Sequence, residues 1–315
     1  MKFESAVEKH VVFGTGPLGM AVMSALHQHG KSVRMVNTSG NADVPNGVEV
    51  VKADAYQLAE TILLTRDASV VYQCASPPYT EWGNKFMALQ SAILDGAAHN
   101  DCRVVIADNL YLYGNVDSLI HECLPSAATT HKGMLRENLS YVALRAHQAG
   151  KVRVVIGRGS DFFGPRVLNA LIGARAIAPA IKGKTAQLLG HLDMPHSFTY
   201  IEDFAHALVT LGEHEDTFGQ AWHVPNNPPL TQRQLMTIVF EQVGKPPKMA
   251  TMSKAMMAIV GLFIPALRES QEMMYAINKP YIVDSSKFET RFGSMVTPLK
   301  EAIRRTIDWY RAHPT

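Results

Sequence analysis

The chain has 315 residues, 47% hydrophobic and 18% charged, with 30 Lys and Arg against 28 Asp and Glu and a formal net charge of +2. This balance suits a globular protein with a large core, in one domain or two interlocked ones, and argues against a disordered chain or a polyanion partner. Without a Lys/Arg run interleaved with aromatics, nothing points to nucleic acid.

Val11-Val12-Phe13 is a short apolar run that reads as a buried strand. Gly14-Thr15-Gly16-Pro17-Leu18-Gly19 follows, and then Leu18, Val22 and Leu26 recur at helical spacing. A strand turning sharply into a helix aims backbone N–H groups and the positive helix end at one spot, which suits a pyrophosphate. In this reading Gly14 permits the turn, Gly16 lets phosphates approach the backbone, and Gly19 lets helix and strand pack closely. The alternative is a glycine-rich turn that binds another nucleoside or nothing.

Val33–Val36, Val48–Val51, Val70–Tyr72, Val104–Ile106 and Val152–Ile156 are further strand candidates. Trp82, Phe86, Leu89 and Ile93 recur as one helical stripe, and Leu135, Leu139, Val142 and Ala146 as another. Gly30, Gly96 and Gly150 are expected as helix C-caps. Alternating strands and helices with continuous apolar strands predict a parallel sheet covered on both faces. After Gly164-Pro165 turn signals multiply, at Pro179, Pro195, Pro225, Pro228-Pro229 and Pro246-Pro247, and this part reads as a smaller mixed lobe. Methionines thicken from Met249 through Met252, Met256 and Met257 to Met273-Met274; a helix core and an adaptable apolar pocket are the two readings.

Cys74, Cys102 and Cys123 are odd in number and have no C-x-x-C spacing, as reduced cytosolic thiols do, and Cys74 is expected as a small core residue. Met1–His10 lacks the apolar segment of a signal peptide, so a cytoplasmic protein is expected. The longest apolar candidate, Ala255–Ile264, is far short of the roughly 20 residues of a membrane span, and no membrane partner is expected. The 13 histidines show no ligand spacing with Cys or carboxylates, so no metal is expected.

Several landmarks now stand in order. The glycine loop is followed by Lys52-Ala53-Asp54, then Asn109-Leu110-Tyr111-Leu112-Tyr113-Gly114, then Arg158-Gly159-Ser160-Asp161-Phe162-Phe163-Gly164-Pro165. His196-Ser197-Phe198-Thr199-Tyr200-Ile201-Glu202-Asp203-Phe204-Ala205 and Gly219-Gln220-Ala221-Trp222-His223-Val224 complete the series. Over nearly the whole chain it resembles the extended short-chain dehydrogenase/reductase family, the NAD-dependent epimerase/dehydratase group. The resemblance implies an α/β protein: a Rossmann-type doubly wound parallel sheet of about seven strands with a smaller C-terminal mixed α/β substrate lobe. The implied division is residues 1–165 with about 196–224 for the nucleotide domain, and 166–195 with 225–315 for the substrate lobe. Phe198–Asp203 would return the chain to the nucleotide domain. A small-molecule substrate and a homodimer paired through helices flanking the sheet are implied as partners.

For the cofactor, the implied contacts are Gly14, Thr15, Gly16, Pro17, Leu18 and Gly19 at the phosphates, Asp54 at the adenine, and Ala75 after the fourth strand. The competing reading makes Asp54 a helix N-cap. An acidic residue about 20 positions past the glycines would bind both ribose hydroxyls and repel a 2′-phosphate. Asn37 stands there instead, with Thr38 and Ser39 offering hydroxyls, so NADP(H) is favoured over NAD(H) chiefly because repulsion is absent. Arg34 and Lys31 are near in sequence, but the pleat decides where they point; Asn-Thr-Ser-Gly also reads as a plain turn.

Typical members use a Ser or Thr after the fifth strand and a Tyr-x-x-x-Lys on the next helix. Here the hydroxyl position falls on Asn109, the tyrosine position on Lys132 and the lysine position on Arg136, as in an atypical branch of the family. Lys132 can serve as an acid or base, Asn109 can donate its amide to a carbonyl oxygen, and Arg136 can hold the ribose or a carboxylate but cannot relay protons. Tyr111 and Tyr113 are candidate phenols, although Tyr113 before a glycine also reads as a packing residue; Lys132 as a solvated helix residue and His131 as a capping one are the plain alternatives. Tyr141 and Arg145 repeat the Tyr-x-x-x-Arg spacing later on the helix. Asp161, Phe162 and Phe163 are the implied substrate contacts. The expected function is an NAD(P)-dependent oxidoreductase acting on a small, apolar carbonyl with a non-standard acid/base group. The alternatives are a non-catalytic NADP(H)-binding sensor or scaffold, and a nucleotide-sugar epimerase or dehydratase.

Overall fold

The computed structural model describes residues 8–252 and 265–314. The chain runs β1 (Lys9–Phe13), α1 (Pro17–Gln28), β2 (Ser32–Asn37), β3 (Glu49–Lys52), α2 (Leu58–Thr65), β4 (Ala68–Gln73), α3 (Trp82–His99), β5 (Arg103–Asp108) and α4 (His131–Gln148). It continues as β6 (Arg153–Arg158), β7 (Asp161–Phe163), α5 (Ala174–Ile181), β8 (Ala186–Leu189), β9 (Phe198–Tyr200), α6 (Ile201–Glu213), β10 (Ala221–His223), α7 (Gln232–Gln242) and β11 (Met249–Met252). A helix at Leu299–Ala312 follows.

The expected doubly wound sheet is present, with seven strands in the order β10-β6-β5-β4-β1-β2-β3. β1 pairs in parallel with β2 and β4, β2 with β3, and β4 with β5. The central strands are buried on both faces: Val11, Val12, Phe13, Val70, Val71 and Tyr72 are all 0% exposed. Their continuous apolar runs reflect that two-sided burial, worth about 1.5–3 kcal/mol per large aliphatic side chain. The order reverses between β1 and β4, the switch point beside which doubly wound sheets bind ligands.

Among the described residues, 8–108, 138–157 and 205–221 form one compact unit; 109–137, 158–204, 222–252 and 265–314 form the other. The chain re-enters the first unit at Ala205, within α6. In the second unit β7 pairs with β9 and β8 with β11, both in parallel, and the core gathers Ile177, Leu188, Phe240 and Ile303 from α5, β8, α7 and the Leu299–Ala312 helix.

Four local expectations change. Gly30 and Gly150 have φ of +69° and +67° and close their helices, but Gly96 lies inside α3. A Cβ on Gly96 would stand 2.4 Å from Thr61 Oγ1, so this glycine serves the close crossing of α2 and α3 rather than a cap. The buried stripe of α4 includes Lys132, Arg136, Leu139, Ser140 and Ala143, whereas Leu135, Val142 and Ala146 are half-buried. Hydrophobic periodicity misplaces this face because two of its buried members are cations. Pro179 lies inside α5, where packing of Ala176, Ile177 and Ala180 outweighs one missing backbone bond. Met249 and Met252 lie on β11, not a helix; Met256, Met257 and Ala255–Ile264 fall outside the described residues.

Candidate functional site

The first unit carries the glycine loop. β1 ends at Phe13, and Gly14 bends away with φ +102°, a conformation that L side chains rarely adopt. A Cβ on Gly14 would stand 2.7 Å from the Ala75 nitrogen, just past β4, and one on Gly19 would stand 2.0 Å from the Gly14 carbonyl oxygen. Gly16 is different: it is exposed, its φ is −69°, and an added Cβ would meet nothing within 4 Å. Two glycines are therefore demanded by the fold, and the third leaves open space in front of the loop. Gly16 is the N-cap of α1 with no side-chain cap, Pro17 fills the first turn, and no acidic residue occupies that turn. The early N–H groups of α1 point outward with the positive end of its dipole, and this cradle fits a dinucleotide diphosphate. Cys74 packs beneath Gly19, and burial pushes its thiol up to about 12, so it is an inert neighbour.

Asn37 is consumed by structure. Its Nδ2 donates to Thr15 Oγ1 (2.9 Å) and the Asn41 carbonyl (2.8 Å). Its Oδ1 accepts from the Ser39 amide (3.0 Å), the Ser39 hydroxyl (3.1 Å) and the Gly40 amide (2.6 Å). The result is an Asx turn that leaves Thr38 and Ser39 exposed. The pleat sends Arg34 to the other face of β2, where it binds Glu49 (2.8 Å), Asp67 (2.7 Å) and the Leu64 carbonyl (2.7 Å). Lys31 pairs with Glu213 at 3.1 Å. Asp54 does not cap α2, which starts at Leu58. Instead its carboxylate accepts from the Tyr56 amide (3.1 Å) and the Gln57 side chain (3.3 Å) and closes the turn after β3.

The second unit holds the other candidates. Asn109 Oδ1 accepts from the Tyr111 amide at 3.1 Å, while its NH2 group makes no bond among the described residues. Lys132 is buried, and its Nζ lies 2.6 Å from Glu269 Oε2. Glu272 closes the start of α4, accepting from the His131 amide at 2.9 Å and the Lys132 amide at 3.2 Å. Thr130 accepts from the Gly133 amide at 3.1 Å, as an N-cap does, and His131 is exposed. Gly133 is required, because its Cβ would stand 2.8 Å from the Tyr111 carbonyl oxygen. Arg136 is buried one turn beyond Lys132. Tyr141 is exposed. Asp161 and Phe162 are half-buried; Phe163 is 1% exposed and belongs to the core of this unit.

Two constellations escaped the sequence reading. The Tyr113 hydroxyl lies 2.8 Å from His223 Nε2 and accepts from Arg158 Nη1 at 2.7 Å. His223 Nδ1 stands 3.0 Å from the Asp284 carbonyl oxygen, and its backbone amide donates to Glu122 at 2.8 Å. Burial lowers the His223 pKa to about 4, so the ring is neutral at pH 7. With Nδ1–H assigned to the Asp284 carbonyl, Nε2 accepts the Tyr113 proton. Tyr113 is thus a buried brace. Arg158 and His223 both fell within quoted landmarks, but nothing in their spacing joins them to Tyr113. The second constellation pairs buried His196 with Asp161, Nε2 to Oδ2 2.9 Å, at hydrogen-bond distance without hydrogen-bond direction. Among the described residues no three His, Cys, Asp or Glu side chains gather as metal ligands, and no helix is long and apolar enough to cross a membrane.

The model of the NAD dependent epimerase/dehydratase family matches residues 11–224. The chain is 25% identical over 297 residues to the 3beta-hydroxysteroid-dehydrogenase/decarboxylase isoform 2 of Arabidopsis thaliana, covering 83% of this chain and 52% of that protein. It is 24% identical over 238 residues to the Sterol-4-alpha-carboxylate 3-dehydrogenase, decarboxylating, of Bos taurus, covering 70% and 65%. The chain thus spans about half the length of the Arabidopsis relative. Among solved structures, the UDP-N-acetylglucosamine 4-epimerase from Bacillus cereus superposes with a TM-score of 0.78 at 17% identity, covering 98% of each chain. The UDP-glucose 4-epimerase of Thermus thermophilus, in complex with NAD, gives 0.77 at 16% identity, covering 97% of this chain and 99% of that one. At these identities the structural likeness is one of fold.

Proposed function

The chain belongs to the NAD dependent epimerase/dehydratase family, and from that premise we propose that it is a nicotinamide-dinucleotide oxidoreductase acting on a small, apolar ketone or secondary alcohol. The observation that carries this reading is the cradle at the end of β1, where Gly14 and Gly19 are sterically required and Gly16 leaves open space. The residues that would hold the diphosphate are those of the Gly14–Gly19 loop, with Ala75 behind them and Thr38 and Ser39 toward the adenosine ribose. A bound nicotinamide supplies or accepts the hydride.

The chain's own residues handle the proton and the polar groups. Lys132 stands in the register of the family's tyrosine and carries a proton on Nζ that it can pass to a carbonyl oxygen, with Glu269 2.6 Å away to hold the ammonium in place. Asn109 keeps its NH2 group for the same oxygen. The Arg136 guanidinium suits a ribose or a carboxylate. The buried Tyr113 hydroxyl is held by Arg158 and His223, which suits a bracing role. Asp161 and Phe162 are the substrate contacts.

An apolar carbonyl substrate is supported by the relatives' names, which give a hydroxysteroid and a sterol carboxylate. A nucleotide-sugar epimerase has support from the family description and the fold neighbours, but those reactions lean on the tyrosine that Lys132 replaces. NADP(H) is preferred over NAD(H) because position 37 carries no carboxylate to repel a 2′-phosphate. A second reading, nucleotide binding without turnover, draws on the Lys132–Glu269 pair, which holds the ammonium away from any substrate if it does not open.

The test is a titration of the purified protein with NADPH and NADH, followed by a panel of cyclic ketones and hydroxysteroids read by nicotinamide absorbance. Binding with turnover supports the oxidoreductase; binding with no turnover across the panel favours the second reading. Absence of binding by either nucleotide overturns both.

A further inference from the structure

We propose that Lys52 reads the adenosine 2′-phosphate and is the residue that sets the preference for NADP(H). The inference rests on the dinucleotide reading above and adds the group that would carry the discrimination. β2 and β3 run in parallel with Met35 beside Val50, Val36 beside Val51 and Asn37 beside Lys52. Side chains alternate along a strand, so Asn37 and Lys52 emerge on the same face, while Arg34, Val36 and Val51 take the opposite one. The face is that of the glycine loop, because Asn37 Nδ2 donates to Thr15 Oγ1 at 2.9 Å. Position 37 is where the ribose-reading residue of such folds stands. Lys52 is its neighbour across the ladder.

The surroundings leave the phosphate-reading task to Lys52. The Asn37 side chain is committed to the 38–41 turn and to Thr15, and the Ser39 and Gly40 amides are spent on Asn37 Oδ1. The Ser39 hydroxyl is likewise taken up, by Asn37 Oδ1 and the Asn41 carbonyl, so the turn offers the Thr38 hydroxyl but no charge. Lys31 pairs with Glu213, and Arg34 with Glu49 and Asp67. Lys52 is exposed and makes no ion pair among the described residues. Its stem lies directly against the turn: a Cβ on Gly40, whose φ is +75°, would stand 2.8 Å from Lys52 Cβ. Nearby Asp54 is occupied by the Tyr56 amide and Gln57. A 2′-phosphate seated on this turn would meet the Lys52 ammonium and the Thr38 hydroxyl; a 2′-hydroxyl has no use for the ammonium.

The experiment measures dissociation constants for NADPH and NADH by calorimetry on the wild type, Lys52→Met and Lys52→Glu, at low and high salt. Lys52 is exposed, so the variants should fold, and unchanged melting curves verify it. The expected result is a roughly three- to tenfold weaker NADPH affinity in Lys52→Met, a larger loss in Lys52→Glu, and NADH affinity within about twofold of wild type. The salt dependence of NADPH binding should shrink in Lys52→Met. If both nucleotides bind and Lys52→Met changes neither, or changes both equally, the assignment of Lys52 is overturned while the dinucleotide reading stands. If the wild type binds neither nucleotide, that reading is overturned and this assignment with it.

Discussion

The glycine loop permits a test in which two substitutions of the same kind have opposite consequences. In Gly19→Ala the new methyl would stand 2.0 Å from the Gly14 carbonyl oxygen and 2.9 Å from the Gly14 carbonyl carbon, both backbone atoms just past β1. Relief requires α1 to move off the sheet, and overpacking of this kind costs about 1–3 kcal/mol or more. In Gly16→Ala the backbone is at φ −69° and ψ 178°, allowed for any residue, and the methyl meets nothing within 4 Å. Loss of unfolded-state freedom contributes about 0.4–1 kcal/mol in favour of Ala, and the poorer N-cap takes back a similar amount. The net change in stability should lie within about 0.5 kcal/mol of zero.

Binding should follow the reverse order of magnitude. The Gly16 methyl projects into the space in front of the loop, where a diphosphate would approach the backbone. Displacing one charge-assisted hydrogen bond costs about 1.5–3 kcal/mol, or roughly ten- to a hundredfold in affinity. The measurements are urea denaturation without nucleotide and calorimetric titration with NADPH and NADH. Gly16→Ala should melt like wild type and bind at least about tenfold more weakly to both nucleotides. Wild-type affinity in Gly16→Ala would refute the cradle, whatever Gly19→Ala does.

Three further outcomes follow from the second unit. Lys132→Met should abolish turnover while leaving nucleotide affinity within about threefold of wild type; retained turnover removes the lysine from proton transfer. Tyr113→Phe deletes the oxygen shared by Arg158 and His223 and should lower stability by about 1.5–3 kcal/mol, read as a shifted urea midpoint at constant slope. His223 has its folded pKa depressed from 6.5 to about 4, chiefly by burial. Its neutral form is the folded one, so this contribution is complete above about pH 6.5 and is lost as pH falls toward about 4. The full effect is on the order of 3 kcal/mol, and His223→Gln should flatten that part of the stability–pH curve.

The parts legible in the sequence are those in which one local signal decides the structure. Strands buried on both faces must be continuously apolar, so Val11–Phe13 and Val70–Tyr72 could be recognised before any contact was known. The glycine loop was legible because Gly14 and Gly19 answer to neighbours a few residues away or one strand over. What stayed hidden depends on partners far along the chain. Gly96 looks like a helix end until Thr61 of another helix is seen against it. Arg34 looks available to a nucleotide until the pleat hands it to Glu49 and Asp67.

The candidate site divides in the same way. Lys132 falls in the tyrosine position when residues 130–137 are matched to the family's Tyr-Gly-x-x-Lys pattern, which a sequence alone permits. Its chemical character cannot be read that way, because Glu269 is 137 residues away and sets the charge that Lys132 faces. Tyr113 shows the same limit in reverse. As a phenol near the right landmark it reads as an acid, yet Arg158 and His223, 45 and 110 residues distant, draw it into a buried network. If proton transfer runs through Lys132, the pair with Glu269 has to open or pass the proton on. Glu269→Gln is therefore the informative companion to Lys132→Met: it keeps the shape of the pair while removing its charge. A change in the pH profile of turnover in Glu269→Gln, with nucleotide affinity unchanged, would tie that carboxylate to the proton path; an identical profile would reduce it to a strut.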